Sequence, residues 1–135
     1  MAIKVLDSWA LMAFFNDAAT ADEVERLLQR AAAGRHKLLL SVVNWGEIYY
    51  SIMRTDGQAA AEQKAREIAA LPIEITGVGE DLLLVRQAAI FKADHRLSYA
   101  DAFAAALAKT RKAELVTGDI EFKQVEDEIK IGWLK

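Results

Sequence analysis

Short apolar runs alternate with longer stretches of helical periodicity along the whole chain. Ile3-Lys4-Val5-Leu6 reads as a β-run closed by Asp7, after which Ser8 is positioned to cap an apolar helix carrying Trp9, Leu11, Met12, Phe14 and Phe15. Past a polar connection at 16–20, Asp22 and Glu23 suit the positive end of a second helix. Its Val24, Leu27, Leu28 and Ala31 make one face, and Gly34 is its stop. Lys37-Leu38-Leu39-Leu40-Ser41 is continuously apolar at its centre, as a strand covered on both faces would be. In the helix that follows, Trp45, Ile48, Tyr49, Ile52 and Met53 share a face, and Glu47 stands early.

Residues 54–57 form a turn, and the Ala-rich stretch 58–70 forms a helix with Ala61, Ala65, Ile68 and Ala69 on its apolar edge. Pro72 ends that helix and opens a strand at 73–76, and a further helix runs from about Asp81 to Ala93. Ser98, with Asp101 three residues on, has the form of a capping box, and Ala100, Phe103, Ala104, Leu107 and Ala108 recur at helical spacing behind it. A basic turn leads into a strand at 114–117, which ends at Gly118-Asp119. Phe122 is expected in the core and Lys123 outside it. An alternating strand at 129–131 closes the pattern, with Trp133 and Leu134 packing behind it.

Strands at 3–6, 37–41, 73–76, 114–117 and 129–131, separated by helices, predict an α/β fold whose mainly parallel central sheet has helices on both faces. At 135 residues, one domain spanning 1–135 is expected. An apolar content of 53% and a charged content of 27% suit a packed domain rather than a disordered chain. No apolar run reaches the ~18 residues of a membrane span. The first residues also lack a signal peptide's apolar region, so a cytoplasmic location is expected. Without Cys there is no disulfide framework, thiol nucleophile or cysteine-zinc site.

The candidate chemistry is acidic. Asp7 and Asp119 directly follow strands, where open α/β sheets place their ligands, and Glu47 and Asp101 lie early in helices, so all four converge at one sheet edge. Taken singly, Asp7 and Asp101 read equally well as helix caps, Glu47 as a solvated helix position and Asp119 as a turn residue. Together they would repel one another and raise their own pKa values, a conflict that a divalent cation removes. All-oxygen ligands with no paired His motif favour Mg²⁺ or Mn²⁺ over Zn²⁺, and such an ion serves phosphodiester hydrolysis. On this reading Asp7 and Asp119 are metal ligands and Asp101 a third, directly or through water. Glu47 binds a second ion or orients the attacking water. Ser8 and Thr117 hold carboxylates or water, or act simply as cap and strand-end residues.

The net charge of −3 weighs only lightly against a nucleic-acid partner. Setting the four clustered acids aside from the 20 leaves 16 against 17 bases. Arg86, Lys92 and Arg96 approach the proposed cleft as phosphate-contact candidates, each equally readable as solvated surface. Residues 77–79 lack the third glycine of a dinucleotide fingerprint.

The stretches Val5-Leu6-Asp7-Ser8, Asn44-Trp45-Gly46-Glu47-Ile48, Ser98-Tyr99-Ala100-Asp101-Ala102-Phe103 and Leu115-Val116-Thr117-Gly118-Asp119, in this order, resemble the motifs of PIN-domain ribonucleases, above all the toxin subunits of VapBC-type toxin–antitoxin pairs. The resemblance implies a PIN-like fold and Mg²⁺- or Mn²⁺-dependent endoribonuclease activity on RNA, often structured RNA such as tRNA. It also implies a homodimer that assembles with a cognate VapB-type antitoxin into a hetero-oligomer, and an acidic site at Asp7, Glu47, Asp101 and Asp119. Competing readings are another Mg²⁺-dependent phosphatase or nuclease, or a non-catalytic metal-binding α/β module. A phosphoaspartyl phosphatase would carry Asp-x-Asp where this chain has Asp7-Ser8-Trp9, and metal-free cleavage by His36 and His95 lacks a partner motif for either.

Overall fold

Burial of successive residues along the central strands, on both faces of the sheet, explains the layering. The computed structural model describes residues 2–135; Met1, the first residue of the expected domain, lies outside them. Strands β1 (Ala2–Leu6), β2 (His36–Ser41), β3 (Glu74–Thr76), β4 (Glu114–Thr117) and β5 (Ile131–Trp133) form one parallel sheet in the order β3-β2-β1-β4-β5. In the register, Val5 lies beside both Leu39 and Leu115, and Leu6 beside both Leu40 and Val116. Because side chains alternate between faces, the first row feeds one core and the second row feeds the other.

On the first face pack α5 (Leu83–Asp94), α6 (Tyr99–Thr110) and a 3-10 turn at Ile120–Val125. On the second face lie α1 (Ser8–Phe15), α2 (Ala21–Ala32), α3 (Val42–Asp56) and α4 (Gln58–Ala69). Helix α6 is buried on every side from Ala102 to Ala108, and its alanines allow close approach to both the sheet and α5. Both edge strands have only three residues, which limits the unpaired backbone they offer. Among the described residues no helix is long and apolar enough to cross a membrane.

The structure shifts several expected boundaries. The last strand spans 131–133 rather than 129–131, because Val125 O accepts from the amides of Glu128 and Ile129 and prolongs a helical turn. Ile129 is buried beneath that turn instead. The third strand begins at Glu74, since Ile73 N turns back to Leu71 O at 2.8 Å. Helix α5 begins at Leu83, after Leu82 adopts φ +64° and the Asp81 carboxylate accepts from Leu83 N at 3.2 Å. Met53 and Ala69, expected on apolar faces, are exposed. Gly34, at φ +76°, does stop α2, its amide bonding to Ala31 O while Arg35 N bonds to Arg30 O.

Phe122 is fully buried and Lys123 exposed, as the pattern predicts. This ring anchors the 3-10 turn that leaves Asp119. Replacing Phe122 with Ala is therefore expected to cost about 3–5 kcal/mol, measured by urea unfolding.

Candidate active site

Parallel topology brings the C-terminal ends of β1 and β4 side by side, and with them Asp7 and Thr117–Asp119. Asp7 is buried and, in a correction to the expected cap at Ser8, is itself the N-cap of α1: its Oδ1 accepts from Ala10 N at 2.9 Å. Ser8 is thereby the first residue of the helix, and its hydroxyl is free for the site. Asp7 Oδ2 accepts from the Thr117 hydroxyl at 2.6 Å, and Thr117 Oγ1 in turn accepts from Asp119 N at 3.0 Å. Thr117 thus spaces two of the acids. Asp119 caps the 3-10 turn, its Oδ1 accepting from Glu121 N at 3.0 Å.

The other two acids arrive on helices. Asp101 sits in the first turn of α6, whose start is capped by Ser98 Oγ accepting from Asp101 N at 3.1 Å. Glu47 lies in the second turn of α3 and accepts a hydrogen bond from Ser8 Oγ. Ser8, Trp9, Met12, Glu47, Ile48, Ser51, Asp101 and Asp119 line a cleft of about 260 Å³. Asp7 lies just beneath it, within electrostatic reach of Asp101 and Asp119.

One residue central to this arrangement opens the motif stretch at 44–48 but has no role assigned from the sequence. Asn44 is fully buried, and its Nδ2 donates to Ser8 Oγ at 3.3 Å and to Ala100 O at 3.1 Å. Ala100 O can only accept, which fixes the amide's orientation. Asn44 therefore links the segment after Asp7, the helix carrying Glu47 and the residue before Asp101. Its Oδ1 is buried without a hydrogen-bond partner among the described residues. The sequence hints at it through the motif stretch it opens and through its position three residues before Glu47, on the same side of α3.

Burial raises the carboxyl of Asp7 to about 7, reinforced by the charges of Asp101 and Asp119 against the opposing hydrogen bonds from Thr117 and Ala10. Burial likewise raises Asp101 to about 6, with Asp119 and Glu47 adding repulsion. None of the four acids has a Lys, Arg or His partner among the described residues. The carboxylates of Asp7, Glu47 and Asp119 are each held by a hydroxyl or a backbone amide instead. As the side chains lie, no three His, Cys, Asp or Glu groups among the described residues are gathered round one metal position. The donor set nonetheless suits a hard divalent cation. Both Asp7 oxygens retain a lone pair beyond the bond each accepts, and the mutual repulsion is of the kind a cation relieves.

The basic candidates lie apart from the cleft. Lys92 Nζ donates to Leu97 O at 2.7 Å, and Arg96 is tied through its amide to Gln124 Oε1 at 2.8 Å. Both border the connection leading into α6, while Arg86 is about 9 Å further back along α5 at 1.5 Å per residue. All three are exposed and none lines the cleft. His36 bonds to Leu27 O at 2.9 Å and His95 to Glu128 Oε2 at 3.0 Å, so each is engaged away from the acids.

The sequence profile of the PIN domain matches residues 4–128. No curated protein sequence matches the chain significantly. Solved structures with a similar fold include VapBC from Salmonella typhimurium in a DNA-bound form, 15% identical, with a TM-score of 0.77 and full coverage of both chains. VapBC2 from Rickettsia felis, bound to a promoter DNA fragment, is 16% identical with a TM-score of 0.74, covering 98% of this chain and 99% of that one. VapC20 from Mycobacterium tuberculosis, a toxin that cleaves the sarcin–ricin loop, is 20% identical with a TM-score of 0.67, covering 92% of this chain and 95% of that one.

The raised carboxyl of Asp7 sets a pH dependence in metal-free protein. Its folded pKa of about 7 exceeds the ordinary 3.8, so the folded state holds a proton that the unfolded state releases between those values. Stability should therefore rise as pH falls from 8 towards 4 and be lost as pH rises through 7. Asp7→Asn keeps the shape, since its Oδ1 still accepts from Ala10 N and its Nδ2 donates to Thr117 Oγ1. At pH 8 in chelator the variant is expected to be roughly 2–4 kcal/mol more stable than the parent, a gap that shrinks to less than half by pH 5 and closes only below about pH 4. Urea titrations at the two pH values check this.

Proposed function

The chain belongs to the PIN-domain family, and on that premise we propose that it is a divalent-metal-dependent endoribonuclease, the toxin of a toxin–antitoxin pair. One observation carries the proposal: four carboxylates from four separate segments lie within electrostatic reach of one another, through Asp101, at the C-terminal edge of a parallel sheet, without a single cationic partner among the described residues. A purely structural cluster would be expected to contain its own countercharge. The family and the VapBC neighbours support RNA as substrate and a VapB-type antitoxin as partner; a homodimer within a larger hetero-oligomer and a cytoplasmic location complete the proposal.

In this reading Asp7, Asp101 and Asp119 hold the ion, Mg²⁺ or Mn²⁺, and Glu47 holds a second ion or orients the attacking water. When bound, the ion neutralises charge growing on the phosphodiester and makes a hydroxide available near neutral pH. The chain's own residues arrange that chemistry. Thr117 keeps Asp7 and Asp119 in register, Ser8 steers Glu47, and Asn44 sets the spacing between α3 and the start of α6. Asp7 and Asp101 lose their protons to bind the ion, so activity should rise with pH across roughly 6 to 7. Arg86, Lys92 and Arg96 supply positive charge outside the acidic cleft for more distant phosphates.

Asp7→Asn, Asp101→Asn and Asp119→Asn are each expected to lower kcat/KM for RNA cleavage by roughly two orders of magnitude or more, with folded proteins by circular dichroism. Cleavage should cease in chelator and return with Mg²⁺ or Mn²⁺. Full activity in chelator, or in any of the three variants, contradicts the proposal. Replacing Arg86, Lys92 and Arg96 together with Ala should weaken RNA binding and make its log–log salt slope shallower by up to about 2.

A further inference from the structure

Trp9 stands where the cleft meets the sheet edge. Its six-membered ring lies directly over Gly118, so close that a β-carbon at position 118 would overlap the ring. Gly118 joins Thr117 to Asp119, and the absence of its side chain is therefore what seats the indole beside the acids. Seated there, Trp9 lines the cleft together with Glu47, Asp101 and Asp119, yet remains 38% exposed. Among the described residues the only indole N–H with a hydrogen-bond partner is that of Trp133, which donates to Glu126 Oε2 at 2.9 Å. The indole N–H of Trp9 is thus uncommitted. A tryptophan serving only the core would be expected to bury its ring and pair its N–H. This one presents its ring to a cleft that also carries three carboxylates and two serine hydroxyls.

We propose that Trp9, seated on Gly118, is a stacking platform for an unpaired nucleobase adjacent to the scissile phosphate. The inference rests on the ribonuclease reading and deepens it by assigning the substrate a base-binding position. The physical grounds are complementary to those of the acid cluster. Four carboxylates select a phosphodiester only through metal and repel RNA otherwise, so attraction close to the cut has to come from a neutral contact. Stacking provides it, at about 1–3 kcal/mol per base and with little regard to sequence. The platform also favours RNA whose cut site is unstacked or looped out, because a base held in a helix cannot reach the ring.

The test compares cleavage of a short single-stranded RNA with the same RNA made abasic at one position at a time, for the parent protein, Trp9→Ala and Gly118→Ala. For intact RNA, Trp9→Ala should lower kcat/KM by about 5- to 150-fold, the factor equivalent to one lost stack. On RNA lacking the base beside the cut, parent and variant should become nearly equal. Gly118→Ala, which keeps the indole but unseats it, should reproduce the loss. A parallel binding measurement uses Trp45→Phe/Trp133→Phe protein, whose sole indole is Trp9. Its fluorescence should be quenched by the intact oligonucleotide and much less by the abasic one.

Equal losses on intact and abasic RNA, or quenching that ignores the missing base, overturn the platform. A Trp9→Ala variant that cleaves intact RNA as well as the parent does so too, as does a defect confined to antitoxin binding. If the parent itself cleaves no RNA with Mg²⁺ or Mn²⁺ present, the ribonuclease reading is what fails.

Discussion

The hydrogen bond from Thr117 Oγ1 to Asp7 Oδ2, 2.6 Å long and shielded from solvent, joins the ends of the two adjacent strands β1 and β4. On one side the same carboxylate caps α1, and on the other the same hydroxyl receives the amide of Asp119. One buried acid thereby fixes the start of a helix, the register of a strand end and the approach of a second acid. Its burial is costly for a charged group, which is why its carboxyl sits near 7. The fold accepts that cost in the metal-free state at the point where a cation would reverse it.

Around this bond the remaining polar contacts are graded by depth. Thr117 and Asn44 are fully buried, whereas Ser8, Glu47, Asp101 and Asp119 are all partly buried and line the cleft. Rigid groups lie beneath and accessible ones above. That order suits a site whose floor must not move while its upper ligands receive an ion and a substrate. The short edge strands and the alanine-filled α6 serve the same end, since tight packing leaves the acid-bearing termini few alternative positions.

Much of this was legible in the sequence, for identifiable reasons. Strands β1, β2 and β4 carry short apolar stretches closed by polar residues, and the topology of a parallel sheet then dictates where Asp7 and Asp119 must emerge. What periodicity cannot reveal is competition between adjacent polar residues. Asp7 and Ser8 both suit an N-cap, and only the Thr117 partner across the sheet determines which one caps. The final strand departs from its pattern for a similar reason: Ile129 and Ile131 alternate correctly, but helical bonds to Val125 O consume the first of them. Asn44 was illegible as a linker because its partners are a hydroxyl 36 residues away and a carbonyl 56 residues away. The charge of Arg86, Lys92 and Arg96 was visible in the sequence, but not their distance from the cleft. Trp9 looked like one more apolar helix residue until Gly118 appeared beneath it.

The account stands or falls on whether repulsion among the four carboxylates is what a divalent ion relieves. Isothermal titration of Mn²⁺ into metal-free protein at pH 6.5, repeated in buffers of different ionisation enthalpy, measures both the binding and the protons released with it. With Asp7 near 7 and Asp101 near 6, the account predicts binding that displaces a substantial fraction of a proton. That release should fall towards zero at pH 8.5 and be sharply reduced in Asp7→Asn. Mn²⁺ that fails to bind, or that binds at pH 6.5 without displacing any proton, would contradict it.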